Sequence, residues 1–195
     1  MGLGSNGSLI DTDAAKKLKK AGIETVSISL DSHIPEQHDK FRGIQGSWEK
    51  AVNAIKVLRK NGVLVQVNTT VTQQNYSQID EIMSLVEKLG VENFHLFFLV
   101  PTGRGVKIAD ISSTKYEKMI RKTFAKIAQH KLNVRPSCAP QFMRIAKEMG
   151  LNMSRWIRGC IAGLYYCRIY PNGMVINMSW SLHFFTRNYR FATII

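Results

Sequence analysis

The chain has 195 residues, 45% of them hydrophobic and 21% charged, and its 27 Lys and Arg outnumber 14 Asp and Glu to give a formal net charge of +13. That length suits one domain, or one with a small extension, and buries a core without disulfide staples. No run reaches the ~18 apolar residues of a membrane span, and the opening Met1-Gly2-Leu3-Gly4 is no secretory signal, so a cytoplasmic protein with no membrane partner is expected. A basic chain invites a nucleic-acid reading. Basic runs interleaved with aromatics on one strand face are missing, which argues against it.

From Thr12 the chain repeats helix, glycine, apolar residue, strand. Thr12 is placed to cap a helix with Ala14, Ala15, Leu18 and Ala21 on one face, and Gly22 stops it before the strand Thr25 to Leu30. Lys16, Lys17, Lys19 and Lys20 fit its solvated face. Ser47 caps a second helix with Ala51, Val52, Ile55 and Leu58 inward, ended by Asn61-Gly62 before the strand Val63 to Val71. A third carries Ile79, Ile82, Met83, Val86 and Leu89, stops at Gly90 and leads to the strand Phe94 to Val100. Alternating helices and strands predict a parallel α/β sheet, either a barrel or a doubly wound sheet. The run Phe97-Phe98-Leu99-Val100 reads as a strand covered on both faces. Beyond the loop Thr102-Gly103-Arg104-Gly105 come a helix from about Ser113 to Gln129, an extended piece Val134-Arg135-Pro136, a helix from Gln141 to Met149, and a hairpin turning at Pro171-Asn172-Gly173.

In parallel α/β folds ligands gather at the C-terminal ends of the strands. Ser29 and Asp31 close one strand, and Asn68, Thr69 and Thr70 close the next. Each alone reads equally as a turn cap; their recurrence on neighbouring strands favours a site. His33, His38 and Asp39 fit no metal-ligand spacing and are read as surface loop residues. His95 reads as a satisfied, partly buried strand residue, and His130 as a cation at a helix end. Gly103-Arg104-Gly105, directly after a strand, is a weak signal for a phosphate- or carboxylate-binding loop. Cys138, Cys160 and Cys167 lie in the last third without a Cys-x-x-Cys pair, and spacing alone leaves both metal ligation and plain burial open.

Several segments resemble radical S-adenosylmethionine (SAM) enzymes: Val26-Ser27-Ile28-Ser29-Leu30-Asp31-Ser32, His38-Asp39-Lys40-Phe41-Arg42-Gly43 and Val67-Asn68-Thr69-Thr70. Cys138-Ala139-Pro140-Gln141, Gly159-Cys160-Ile161-Ala162-Gly163 and Cys167 through Gly173 narrow the likeness to the SPASM-type branch that modifies tetrapyrroles, over roughly residues 4 to 176. The resemblance implies a partial (β/α)6 barrel from the third strand onward over 1–130, an incomplete SPASM-like iron–sulfur segment over 131–176 and an aberrant tail over 177–195. It implies SAM contacts from Ser29, Asp31, Asn68 and Thr70, a carboxylate contact from Arg42, and Val100 near the adenine. It also implies an auxiliary [4Fe–4S] cluster on Cys138, Cys160 and Cys167 with a fourth ligand missing, a sirohaem-derived tetrapyrrole substrate and an electron donor protein. The family's Cys-x-x-x-Cys-x-x-Cys is absent, so an isolated fragment is expected to be inactive in generating radicals. From Asn177 the family's Pro-Cys-Pro-Tyr continuation is also absent, and a frameshift is the expected origin of the tail. The alternatives are a fragment of a SPASM-type peptide or cofactor maturase and a non-catalytic basic α/β binding module.

Overall fold

The computed structural model describes residues 1–99, 111–127, 129–137, 141–151, 168–169 and 175–176. Its elements follow the helix–strand cadence: β1 (Gly2–Ser5), α1 (Thr12–Lys20), β2 (Thr25–Ser29), α2 (Pro35–Arg42), α3 (Ser47–Lys60), β3 (Leu64–Val71), a 3-10 turn (Tyr76–Gln78), α4 (Ile79–Lys88) and β4 (Asn93–Phe98). After them come α5 (Ser113–Ile127), β5 (Asn133–Ser137), α6 (Gln141–Glu148) and the two short strands β6 (Arg168–Ile169) and β7 (Val175–Ile176). The last two pair antiparallel, as the hairpin reading expects.

β1 to β5 form one parallel sheet in simple sequential order. A doubly wound sheet reverses its strand order at a switch point. Here every crossover steps one strand onward, and right-handed crossovers in one direction place all the helices on one face. The architecture is a partial α/β barrel. The extended piece around Val134 is its fifth strand, with Phe94 opposite Val134.

Burial alternates strictly along the inner strands, with Val26 and Ile28, Val65, Val67 and Val71, and Phe94, Leu96 and Phe98 covered. These meet Ala51, Ile55 and Leu58 of α3, Ile82 and Val86 of α4, and Ile120 and Phe124 of α5. Fully burying a side chain of this size contributes roughly 1.5–3 kcal/mol. The opposite face is half-exposed and mostly polar. This corrects the two-face reading of Phe97–Val100: Phe97 points to the concave side and Phe98 to the helices. The apolar run does not distinguish the faces, because a barrel interior also accepts an aromatic ring.

Cap assignments shift by one residue. Asp11, rather than Thr12, accepts the Ala14 N–H at 2.8 Å, and Ser47 is the first helical residue of α3. α6 joins the body through aromatic contacts: the Phe142 ring lies 5.3 Å from Phe98 and 4.9 Å from Phe124. On the outside of the same contact, Arg121 and Arg144 each pair with both Glu117 and Glu148, bridging α5 and α6. β5 and α6 both lie beyond residue 130, where the sequence reading begins the iron–sulfur segment. No helix among the described residues is long and apolar enough to cross a membrane.

Candidate functional site

Asp31 follows the buried Leu30 at the end of β2 and is only 2% exposed. A carboxylate so placed must have its charge and lone pairs satisfied. Its Oδ1 accepts the Thr70 N–H at 2.8 Å, and its Oδ2 accepts from Arg42 Nε at 2.6 Å and Nη2 at 2.5 Å. The Asp31 N–H donates to His38 Nδ1 at 3.1 Å, and its carbonyl accepts from Asn75 Nδ2 at 2.7 Å. One residue therefore ties β2, β3, α2 and the loop after β3 together. Thr69 and Asn75 add to the tie, Thr69 by donating to the Leu30 carbonyl at 2.6 Å and Asn75 by donating to the Thr70 carbonyl at 2.9 Å.

α2 is short, with Pro35 at its start and Gly43 in the left-handed conformation at its end, φ 71°. Pro at the first helical position and Gly past the last form a helix signature. His38 and Arg42, one turn apart, both reach Asp31. His38 is 2% exposed, which corrects its reading as a surface loop residue. Burial, foremost, lowers its pKa, with the Arg42 charge adding and the Asp31 charge opposing. Accepting from a backbone N–H through Nδ1 fixes the neutral tautomer with the proton on Nε2. Asp39 also lies on this helix and supplies the cap for α3: its carboxylate accepts from Gly46 N–H at 2.5 Å, and from Ser47 Oγ and Trp48 N–H at 2.8 Å each. The Trp48 N–H bond is the main reason its pKa is depressed. Trp48 Nε1 donates to the Ser32 carbonyl at 3.1 Å, closing the circuit back to the end of β2.

The concave face is laid out in rows by the strand register. Ser29, Asn68, His95 and Arg135 stand side by side, with Thr70, Phe97 and Ser137 in the next row toward the strand ends. His95 is held from both sides, with Gln66 Nε2 at 3.3 Å from Nδ1 and Ser137 Oγ at 2.6 Å from Nε2. An amide nitrogen only donates, so Nδ1 accepts and Nε2 carries the proton to Ser137. Burial, reinforced by the Arg135 charge, pushes the His95 pKa down to about 4. The unfolded chain then binds a proton near pH 6.5 that the folded chain refuses until about pH 4. This contribution to stability is complete above pH 6.5 and is lost as pH falls toward 4, with a slope of up to about 1.4 kcal/mol per pH unit. His38 acts in the same direction. Urea midpoints measured from neutral to acidic pH are expected to fall, and to fall less steeply in His95→Gln; an unchanged slope in that variant would remove His95 from the account.

Of the residues expected to hold SAM, Asp31, Arg42 and Thr70 converge directly, while Ser29 and Asn68 are neighbours in the adjoining row. Asn68 Oδ1 accepts from Gln66 Nε2 at 2.6 Å. Arg42, with its side chain 28% exposed, keeps Nη1 without a partner among the described residues. His33 Nδ1 is buried with no hydrogen-bond partner among the described residues. Val100, the loop Gly103-Arg104-Gly105, and Cys138, Cys160 and Cys167 lie outside the described residues. Among the described residues, no group of three His, Cys, Asp or Glu could hold a metal ion. His38 and Asn75 are the members of the cluster around Asp31 that sequence reasoning missed. The one-turn spacing of His38 and Arg42 after Pro35 was the available signal for the first, whereas nothing local marks Asn75.

Residues 1–86 match the Radical SAM superfamily. The one-directional parallel sheet and polar strand ends agree with that match to the radical SAM superfamily. The chain is 34% identical over 184 residues to the AdoMet-dependent heme synthase of Methanosarcina barkeri, covering 89% of this chain and 53% of the relative. It is 36% identical over 186 residues to the AdoMet-dependent heme synthase of Oleidesulfovibrio alaskensis, covering 89% and 48%. Pre-heme d1 synthase of Dinoroseobacter shibae is 35% identical over 107 residues, covering 55% of this chain and 26% of that protein. The chain spans about half the length of the curated heme synthases it matches. In fold it resembles Streptococcus suis SuiB bound to S-adenosylmethionine, with a TM-score of 0.74 at 18% identity, over 93% of this chain and 43% of that one.

Proposed function

We propose that this chain is part of a radical SAM enzyme of haem biosynthesis that acts on a sirohaem-derived tetrapyrrole. The observation that carries the reading is the heme-synthase likeness itself. A match covering 89% of the chain leaves out fewer residues than the segment from Cys138 to Cys167 contains, so it extends beyond the sheet into that segment. Tetrapyrroles of this class carry several carboxylates, which the +13 charge complements.

The donor set at the ends of β2 and β3 suits SAM. Ser29, Asn68 and Thr70 offer neutral hydrogen-bonding groups, Arg42 Nη1 suits a carboxylate, and His33 Nδ1 is a buried polar atom that lacks a partner among the described residues. With both oxygens engaged, Asp31 serves by holding Arg42 and the Thr70 N–H in place. Val100 completes the proposed set beside the adenine. SAM supplies a 5′-deoxyadenosyl radical when an iron–sulfur cluster reduces it. The three cysteines lack the Cys-x-x-x-Cys-x-x-Cys spacing, so no residue of these 195 is assigned to that reducing cluster. Cys138, Cys160 and Cys167 are proposed to hold an auxiliary [4Fe–4S] cluster, with an electron donor protein as partner of the whole enzyme.

Anaerobic reconstitution with iron and sulfide tests the cysteine assignment. The chain is expected to gain the broad visible absorbance of a thiolate-bound cluster, and Cys160→Ala to lose most of it. Equal spectra for parent and variant would remove the auxiliary cluster. Titration with a sirohaem-derived tetrapyrrole is expected to perturb the pigment's absorbance, and an unperturbed spectrum would remove the substrate class.

A further inference from the structure

The concave face extends past the strand ends assigned to SAM, and its far side on β4 and β5 carries donors that the SAM assignment does not use. In the row of Ser29, Asn68, His95 and Arg135, a strand spacing of about 4.8 Å puts Arg135 roughly 10 Å from Asn68 and roughly 14 Å from Ser29.

The hydrogen bonds on this side run in one direction. Gln66 donates to His95 Nδ1, and His95 donates through Nε2 to Ser137 Oγ at 2.6 Å. Burial keeps the imidazole neutral at neutral pH, so Nδ1 stays an acceptor. A serine hydroxyl that accepts from an N–H must turn its own hydrogen elsewhere. That hydrogen meets no acceptor among the described residues. Arg135 stands two residues before Ser137, on the same face of β5. It is exposed, forms no ion pair among the described residues, and its charge is felt by His95. Two donors, one of them cationic, therefore share one stretch of β5, where a single carboxylate can accept from both.

An aromatic surface adjoins these donors. Phe97 is half-buried, stands opposite Ser137 in the strand register, and has its ring centre 4.3 Å from that of His95. The patch suits a flat apolar body with a carboxylate at its edge. SAM has a carboxylate as well, but the Arg42 guanidinium suits it at the other end of the row. A tetrapyrrole has both features, a flat macrocycle and peripheral carboxylates.

We propose that Arg135 and Ser137 hold a peripheral carboxylate of the tetrapyrrole substrate, with the macrocycle against Phe97 and with His95 as the positioning residue that aims the Ser137 hydroxyl. The proposal rests on the tetrapyrrole reading above and adds where on the sheet the substrate is held.

The test is absorbance titration of the full chain with sirohaem and with its carboxamide, in which every carboxylate is neutral. The parent is expected to bind the acid at least about tenfold more tightly than the amide. Arg135→Gln is expected to weaken acid binding about tenfold and Ser137→Ala about fivefold, with amide binding held within about twofold in both. His95→Phe removes the donor to Ser137 and should reduce the preference for the acid, whereas His95→Gln keeps an N–H and should restore most of it. Lys16→Gln on the exposed face of α1, which removes the same charge as Arg135→Gln, should leave both affinities within about twofold. Circular dichroism reports whether each variant folds, and Arg135→Met replaces Arg135→Gln if that one does not. Acid binding unchanged in Arg135→Gln and Ser137→Ala would overturn this proposal and leave the substrate reading standing. So would equal weakening of acid and amide, which places the loss in packing, or a loss of SAM binding in Arg135→Gln with pigment binding intact. Equal affinity of the parent for acid and amide would likewise overturn it. A parent that binds neither pigment overturns the substrate reading and this proposal together.

Discussion

Asp31→Ala is expected to lower stability by about 3 kcal/mol, since it strands the Thr70 N–H and the Arg42 guanidinium together. For a domain of this size that is a fall of roughly 6–12 °C in the thermal midpoint. The loss should be localised as well as large. Hydrogen exchange at the Thr70 amide and along α2 should quicken more than exchange in α4. Asp31→Asn keeps an acceptor for Thr70 but turns its amide donors toward Arg42, so pairing it with Arg42→Gln should recover part of the loss. If the two single changes simply add, Asp31 and Arg42 do not work as a unit.

Phe142→Ala is expected to cost about 3–5 kcal/mol, the range for deleting a fully packed aromatic ring. The ring is 1% exposed and sits between Phe98 and Phe124, so its removal leaves a hole where α6 meets the sheet. Arg144→Ala on the same helix is the control. It opens the ring of ion pairs at an exposed position, and should cost only a small part of the Phe142 effect and less still at high salt. Urea unfolding of the two variants separates the cases. Comparable losses would mean that charge rather than packing holds α6.

Much of this architecture could be read from residue order. Helical spacing located α1, α3, α4 and α5, because each carries its apolar side chains on one stripe, and the first three end in a glycine or Asn-Gly. The polar closures of β2 and β3 were also visible, since Ser29, Asp31, Asn68 and Thr70 interrupt apolar strands. What escaped was set by tertiary contact. Asp39 looks like one charge in a polar loop, yet it caps a helix eight residues on. Asn75 is one of several polar residues after Val71, and only the fold shows it spanning two strand ends. Choosing between barrel and doubly wound sheet likewise needed the strand order, which helix and strand patterns alone leave open.

The eight residues of α2 make three grips on two neighbours: His38 holds the Asp31 amide and Arg42 the Asp31 carboxylate, while Asp39 holds the start of the following helix. Because one short helix bears all three, a displacement of α2 moves them together. A ligand that pulled on the guanidinium would tug the whole rod, and with it the first turn of α3. The strand ends and the outer helix layer are thus linked through α2, and strain applied at one should be felt at the other.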